Sequence, residues 1–217
     1  MSDLPDEQSR DPDLPELSAN AFLKQDDAPD EAFYAAPRFV AHIDAPAIAA
    51  VTELYRECIP QNAKVLDLMS SWISHLPSDA AYAEVIGHGM NAMELKANPR
   101  LTRFFVQNLN MDPLLPLDTQ TLDAALICVS IQYLQKPVAV LREIRRALRP
   151  GAPVLITFSN RCFPTKAVTV WQAMEDAAHC NLITLYLERA GFATAEARTL
   201  CQGGRGADPL WAVIGRT

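Results

Sequence analysis

Three polar side chains near the start of the chain are spaced to act together. Tyr34, Arg38 and His42 recur every four residues, which places them on one face if the segment forms a helical turn. The imidazole of His42 suits general-base catalysis, because the ordinary pKa of histidine lies near neutral pH. We therefore expect His42 and Tyr34 to be catalytic and Arg38 to bind substrate. The alternative is that His42 is simply hydrogen-bonded at a domain edge.

A second group of reactive side chains lies between residues 161 and 166. Arg161 suits the binding of an anionic substrate, and the alternative is a solvated loop. The positive charges of Arg161 and Lys166 would lower the pKa of the thiol of Cys162. Because no histidine in the sequence stands as its partner, we do not expect Cys162 to be a nucleophile. We expect this group at the mouth of a cleft.

Histidines and cysteines give no pattern typical of a metal site. His179 and Cys180 are adjacent, but two ligands do not make a site. No pair of cysteines has Cys-x-x-Cys spacing, and their odd number argues against a disulfide framework. We expect a cytoplasmic protein without a bound metal. The five cysteines are Cys58, Cys128, Cys162, Cys180 and Cys201.

Charge is concentrated at the N-terminus of the 217-residue chain, which has a net charge of −7. Residues 1–31 hold ten acidic and two basic residues, four prolines and few bulky apolar side chains. Such a composition predicts a largely disordered acidic tail, with residues 32–217 as the folded domain. No basic stripe favours nucleic acid, and no apolar stretch reaches the length of a membrane span. We therefore expect neither nucleic acid nor a membrane as partner.

The elements that must position these side chains alternate between strands and helices. Short apolar runs predict buried strands, and stripes at helical spacing predict helices between them. The last two strands have no helix between them, which predicts an antiparallel edge. The sequence therefore predicts a three-layer α/β fold with a mostly parallel sheet of seven strands. The strands are expected at 64–68, 84–87, 103–106, 122–129, 153–158, 192–200 and 210–214, and the helices at 44–58, from 91, 137–148 and 165–190 with a break near 180–181.

Five landmarks in this order resemble the class I S-adenosylmethionine-dependent methyltransferases, from about residue 45 to residue 215. They are Lys64-Val65-Leu66-Asp67-Leu68, Val85-Ile86-Gly87, Leu122-Asp123-Ala124-Ala125-Leu126, Leu134-Gln135-Lys136-Pro137 and Leu148-Arg149-Pro150-Gly151. The resemblance implies a Rossmann-like methyltransferase fold and S-adenosylmethionine as the cofactor. It also implies a ligand site at the carboxyl ends of the parallel strands.

Two signatures of that family are missing from this chain. The family's first loop is rich in glycine, whereas here residues 67–75 read DLMSSWISH. The family also carries an acidic residue at the end of the second strand, which binds the ribose, and the matching position here is Gly89. Losing a charged acceptor costs about 1.5–3 kcal/mol, which is roughly tenfold to hundredfold in affinity.

Two functions follow from the resemblance and its departures. In the first, a reshaped loop still binds S-adenosylmethionine, and the protein methylates a small molecule or a protein. In the second, the cofactor is lost, Met69, Trp72 or His75 fills its volume, and the chain binds a protein partner instead. For the first, Met90 would pack against the adenine, and Leu109 and Asn110 would close its polar edge. The expected cofactor-binding residues are Asp67, Met69, Ser70, Ser71, Gly89, Met90, Asn91, Leu109, Asn110 and Val129.

Overall fold

A seven-stranded mixed sheet forms the centre of the protein. The computed structural model describes residues 11–204 and 206–217. Its strands lie in the order β3-β2-β1-β4-β5-β7-β6, with β1 to β5 parallel and β7 antiparallel to both of its neighbours. The strands are β1 Lys64–Leu68, β2 Glu84–Gly89, β3 Arg103–Val106, β4 Ala124–Cys128, β5 Pro153–Phe158, β6 Thr194–Cys201 and β7 Leu210–Arg216. The predicted sheet and its antiparallel edge are confirmed.

Helices cover both faces of this sheet and complete the three predicted layers. Leu66 of β1 packs with α4 and α6 on one face, whereas Val65 packs with α2 on the other. This alternation follows from the two-residue period of a strand. None of the described helices is long and apolar enough to cross a membrane. The helices are α1 Asp30–Tyr34, α2 Ala45–Cys58, α3 Ala92–Ala97, α4 Pro137–Ala147, α5 Thr169–Gln172 and α6 Asp176–Ala190.

Local signals in the sequence set the bounds of several helices. The Asp44 side chain accepts a hydrogen bond from the Ala47 N–H and caps α2, which has proline in its first turn. The Asn91 side chain caps α3 in the same way. Gly191 ends α6 in the left-handed conformation that glycine adopts without strain.

The break in the helical segment 165–190 lies at 173–175 rather than at the predicted 180–181. At this break the Trp171 ring stacks on His179 with 3.8 Å between ring centroids, and His179 Nε2 lies 2.9 Å from the Trp171 carbonyl oxygen. A tertiary contact thus sets the position of the break. Arg205, between β6 and β7, lies outside the described residues.

The N-terminal segment differs from the predicted disordered tail over residues 11–31. Leu14 is fully buried and Ala21 nearly so, both in the core beside α4 and α6. Arg142 pairs with Asp13, and Arg189 pairs with Glu16, so part of the acidic charge is neutralised by the domain. Amino-acid composition does not reveal this packing, because the segment is held by a few buried apolar side chains and by ion pairs with residues distant in the sequence. Residues 1–10 lie outside the described part of the chain.

Candidate functional site

A cavity of about 460 Å³ lies at the carboxyl ends of the five parallel strands. Small-molecule sites of this fold class form at that edge, and their volumes begin near 300 Å³. Residues that directly follow each strand line the cavity, and the N-terminal segment closes one side of it. The strand-end residues are Met69 and Ser70, Gly89 to Asn91, Gln107 to Asn110, Cys128 to Ser130, and Asn160 to Phe163.

The loop after β1 folds back on the buried Asp67. Its carboxylate accepts hydrogen bonds from the hydroxyls of Ser70, at 2.6 Å, and of Ser74. Burial raises the pKa of Asp67, and the two hydroxyls partly counter this. Met69 turns the chain with φ of 57°, in the region where glycine is usual. Asp67 therefore positions the loop from beneath and does not line the cavity.

His88 links the first three strands below the cavity. Its Nδ1 accepts a hydrogen bond from the Met69 N–H at 3.1 Å, and its Nε2 lies 3.0 Å from the Gln107 carbonyl oxygen. This pairing requires the neutral ring with its proton on Nε2. Burial lowers the pKa of His88 to about 4, against the opposing effect of the Gln107 carbonyl. The loop conformation thus depends on an uncharged His88.

The free energy of unfolding is expected to decrease as the pH is lowered, because of His88. Its folded pKa lies below its unfolded value of 6.5, so its contribution is present above pH 6.5 and is lost toward pH 4. Between pH 7 and pH 5 this amounts to roughly 2 kcal/mol of unfolding free energy. Urea unfolding at both pH values should show a smaller acid loss for His88→Gln than for the native chain. Equal losses in the two proteins would contradict the assignment.

Gly89 has no room for a side chain. A Cβ built there would lie 2.6 Å from the backbone oxygen of Ser70 and 3.3 Å from Leu95. The Ser70 N–H also donates to the His88 carbonyl at 2.6 Å, which holds the loop against the end of β2. The β1 loop therefore occupies the space that an acidic side chain at position 89 would need.

Residues 30–44, here called the strap, form the wall of the cavity opposite the sheet. Asn91 Nδ2 donates to the carbonyls of Tyr34 and Ala35 at 2.9 and 3.1 Å. Glu94 Oε1 accepts the Arg38 N–H at 2.6 Å, and the Trp72 indole donates to the Val40 carbonyl. Hydrogen bonds from α3 and the β1 loop thus attach the strap to the domain.

A buried ion cluster anchors the start of the strap. Lys166 has no exposed surface, and its ammonium donates to the carbonyls of Ala28, at 2.7 Å, and Asp26, at 3.2 Å. It also lies 3.5 Å from Asp30, which pairs with Lys24 at 2.7 Å. Burial alone raises the pKa of Asp30, but hydrogen bonds from Lys24 and Asn110 outweigh it, and the net pKa is lowered. Lys166 is therefore a structural residue and not a cleft-mouth residue as predicted.

Both predicted catalytic side chains line the cavity. Burial raises the pKa of Tyr34, so its phenol stays protonated and acts as a donor. Partial burial lowers the pKa of His42, an effect that Arg38 supports and the charge of Glu94 opposes. His42 is therefore neutral at pH 7 and able to accept a proton.

The two predicted substrate-binding arginines differ in position. Arg161 lines the cavity, is 63% exposed, and lies 3.4 Å from Asp208. Arg38 does not line it: its guanidinium donates to the Phe33 carbonyl at 2.8 Å and lies 4.4 Å from the centre of the Phe33 ring. Arg38 thus stabilises the strap. Burial raises the pKa of Cys162, whereas the sequence predicted a lowered value.

Most of the predicted cofactor-binding residues also line the cavity. Ser71 and Asp67 do not, and the Ser71 hydroxyl donates to Glu94 at 2.5 Å. The side-chain amide of Asn110 donates to Asp30 and to the Tyr133 carbonyl and accepts the Gln135 N–H, so its donors and its acceptor already have partners in the protein. The residues at the wall are Met69, Ser70, Gly89, Met90, Asn91, Leu109, Asn110 and Val129.

Strain and an unpaired hydroxyl mark the end of β4. Val129 has φ of 44°, a strained conformation for a β-branched residue, and such strain clusters at ligand sites. Next to it, Ser130 is 7% exposed, and its hydroxyl has no hydrogen-bond partner among the described residues. Ser130 lines the cavity, so a bound ligand would be its natural partner.

Sequence reasoning missed several wall residues. Ser130 could have been predicted as a wall residue, because it directly follows the predicted strand 122–129. Nothing in the local sequence around Asp30 or Glu94 indicates that they reach the cavity. Both carboxylates reach the cavity through tertiary packing of the strap and α3. Other missed wall residues are His88, Gln107, Asn108, Tyr133, Asn160 and Phe163.

Comparison with known proteins confirms the resemblance. A sequence model of the family described as "Methyltransferase domain" matches residues 70–156. Among curated proteins, none matches the chain. The matched segment runs from the β1 loop into β5 and so includes most of the cavity wall.

Solved structures of S-adenosylmethionine-dependent methyltransferases share the fold. One from Archaeoglobus fulgidus has a TM-score of 0.59 at 11% identity, covering 80% of this chain and 95% of that one. A possible histamine N-methyltransferase from Thermotoga maritima has a TM-score of 0.57 at 17% identity, covering 79% and 90%. Phosphoethanolamine N-methyltransferase 2 from Haemonchus contortus, solved in complex with S-adenosyl-L-methionine, has a TM-score of 0.56 at 12% identity, covering 78% and 52%. At these identities the likeness establishes the fold.

Proposed function

We propose that the chain is an S-adenosylmethionine-dependent methyltransferase with a small-molecule acceptor, because a methyltransferase-domain model matches residues 70–156 and solved S-adenosylmethionine-dependent methyltransferases share its fold. The open cavity at the strand ends carries this proposal. A protein that had lost its cofactor would fill that volume with Met69, Trp72 or His75. Met69 lies only at the wall, and neither Trp72 nor His75 is among the lining residues.

The residues present fit the cofactor. The volume of about 460 Å³ is in the range of small-molecule sites, and the wall joins apolar groups to a few polar ones. The unpaired, buried hydroxyl of Ser130 is a polar group that awaits a partner. Ser130 and the backbone of residues 69–70 and 89–90 would hold the cofactor. When bound, S-adenosylmethionine supplies an electrophilic methyl group on its sulfonium sulfur.

The chain's own residues supply positioning and a base. The strap forms one wall of the cavity and would help to hold two reactants together, which favours direct displacement between them. His42 is neutral at pH 7 and accepts the proton that an amine or hydroxyl acceptor must lose. Tyr34, protonated because burial raises its pKa, donates a hydrogen bond to the acceptor. Arg161 offers a charge for an anionic group of the acceptor.

Transfer of a labelled methyl group tests this function. Purified protein is incubated with methyl-labelled S-adenosylmethionine and a panel of small amines, phenols and carboxylic acids. We expect label in one acceptor class, at a rate that falls in acid as His42 becomes protonated, with a midpoint below pH 6.5 because burial lowers the pKa of His42. His42→Asn should slow transfer and remove that acid limb. An unchanged pH profile in His42→Asn would exclude His42 as the base.

A second candidate function is a non-catalytic protein that binds a protein partner. The blocked side-chain position at Gly89 favours it, because the usual ribose contact cannot form there. Calorimetric titration with S-adenosylmethionine separates the two functions. No binding of the cofactor, together with no transfer of label, would favour the non-catalytic function.

A further inference from the structure

Two carboxylates line the cavity, and they differ in how far they are neutralised. Asp30 is hydrogen-bonded to Lys24 and Asn110 and lies near Lys166. Glu94 accepts one hydrogen bond on each oxygen, from the Arg38 N–H at 2.6 Å and the Ser71 hydroxyl at 2.5 Å. Among residues 11–204 and 206–217, no cation pairs with Glu94. Its charge is therefore uncompensated at the cavity wall.

The carboxylate of Glu94 has capacity for further donors. A carboxylate offers about four acceptor sites, and the two bonds from the strap and the β1 loop use two of them. Glu94 also lines the same cavity as His42 and Tyr34. An uncompensated carboxylate at a cavity wall suits a ligand with hydroxyl or ammonium donors.

The blocked position at Gly89 makes Glu94 the available carboxylate at this corner. The Ser70 backbone oxygen occupies the space beyond the Gly89 Cα, so no side chain extends from the end of β2. Glu94 lies on α3, whose first residue is only three positions after Gly89. The same β1 loop that blocks position 89 donates the Ser71 hydroxyl that orients Glu94.

We propose that Glu94 accepts the hydrogen bonds of the cofactor's ribose hydroxyls, in place of a side chain at position 89. This inference rests on the proposed function, because it assumes that the cavity takes S-adenosylmethionine. Glu94 then binds the ligand and the strap together.

Calorimetric titration of Glu94→Gln tests the proposal. Glutamine keeps the size of the side chain and one oxygen acceptor but removes the charge. We expect about tenfold to hundredfold weaker binding of S-adenosylhomocysteine, the change for losing a charged acceptor. The same loss is expected for 5′-methylthioadenosine, which keeps the ribose but lacks the amino acid. A loss for S-adenosylhomocysteine alone would assign Glu94 to the ammonium and overturn the ribose contact.

Two further variants separate binding from folding. Glu53→Gln makes the same change at an exposed carboxylate on α2 that does not line the cavity, and it should bind as the native chain does. Ser71→Ala removes the hydroxyl contact without removing the charge and should lose less affinity than Glu94→Gln. Equal losses of affinity in Ser71→Ala and Glu94→Gln would mean that both variants act by disturbing the β1 loop and not through a ligand contact of Glu94. Binding by the native chain with unchanged Glu94→Gln affinity overturns this inference alone, whereas no binding by the native chain removes the proposed function.

Discussion

Gly89→Asp is expected to destabilise the protein and to weaken cofactor binding, although it introduces the acidic residue type that the resemblance leads one to expect at this position. The new Cβ would lie 2.6 Å from the Ser70 backbone oxygen, a contact that flexible side-chain motion cannot relieve. Overpacking of this kind costs about 1–3 kcal/mol, and burial of the added charge increases the loss. Urea unfolding gives the stability, and calorimetry gives the affinity for S-adenosylhomocysteine.

The matched control for Gly89→Asp adds the same carboxylate nearby without the clash. Ala92→Asp places it on the exposed first turn of α3, where a negative charge favours the helix. Its unfolding free energy should stay within about 0.5 kcal/mol of the native value. If Gly89→Asp instead bound the cofactor more tightly at native stability, the β1 loop would not occupy the space described.

Lys166→Met is expected to lower the unfolding free energy by about 3 kcal/mol, near the lower end for breaking a buried ion pair. Lys166 has no exposed surface and donates to the carbonyls of Asp26 and Ala28. Methionine would leave both carbonyls without this donor at the start of the strap. Lys24 still pairs with Asp30 in the variant, which limits the loss. Urea denaturation measures this loss of unfolding free energy directly.

Lys96→Met is the matched control for Lys166→Met. Lys96 is exposed on α3, so the same substitution there should change stability by no more than about 0.5 kcal/mol. Limited proteolysis adds a local measurement, because loss of the Lys166 contacts should expose residues 22–44 to cleavage first. A loss below about 1 kcal/mol for Lys166→Met would contradict its role as the anchor of the strap.

Elements whose signals are local could be predicted from the sequence. Apolar runs such as 153–158 indicate buried strands, and Asp44 and Asn91 indicate helix starts. From these signals the sheet could be predicted, and with it the position of the site at the carboxyl ends of the strands. The absence of glycines after β1 and of an acid at position 89 was equally visible. These features depend on neighbours within a few residues or on the fixed period of a strand.

Features that depend on distant contacts could not be predicted. The strap is held by Lys166, Asn91 and Glu94, which lie 56 or more residues from their strap partners Asp30, Tyr34, Ala35 and Arg38. The position of the Ser70 oxygen against Gly89 depends on a hydrogen bond between two strand ends. Asp30 and Glu94 were therefore missed, because the strap and α3 bring them to the cavity through such contacts.

The central claim is that the reshaped cavity binds S-adenosylmethionine, and calorimetric titration of the purified native chain tests it most directly. Both S-adenosylmethionine and S-adenosylhomocysteine are titrated at pH 7.5, where His88 is neutral and its Nδ1 can accept the Met69 N–H of the β1 loop. We predict one site per chain with micromolar affinity and a matching rise in melting temperature. No heat and no thermal stabilisation at millimolar ligand would contradict the claim and leave the chain as a methyltransferase-like scaffold.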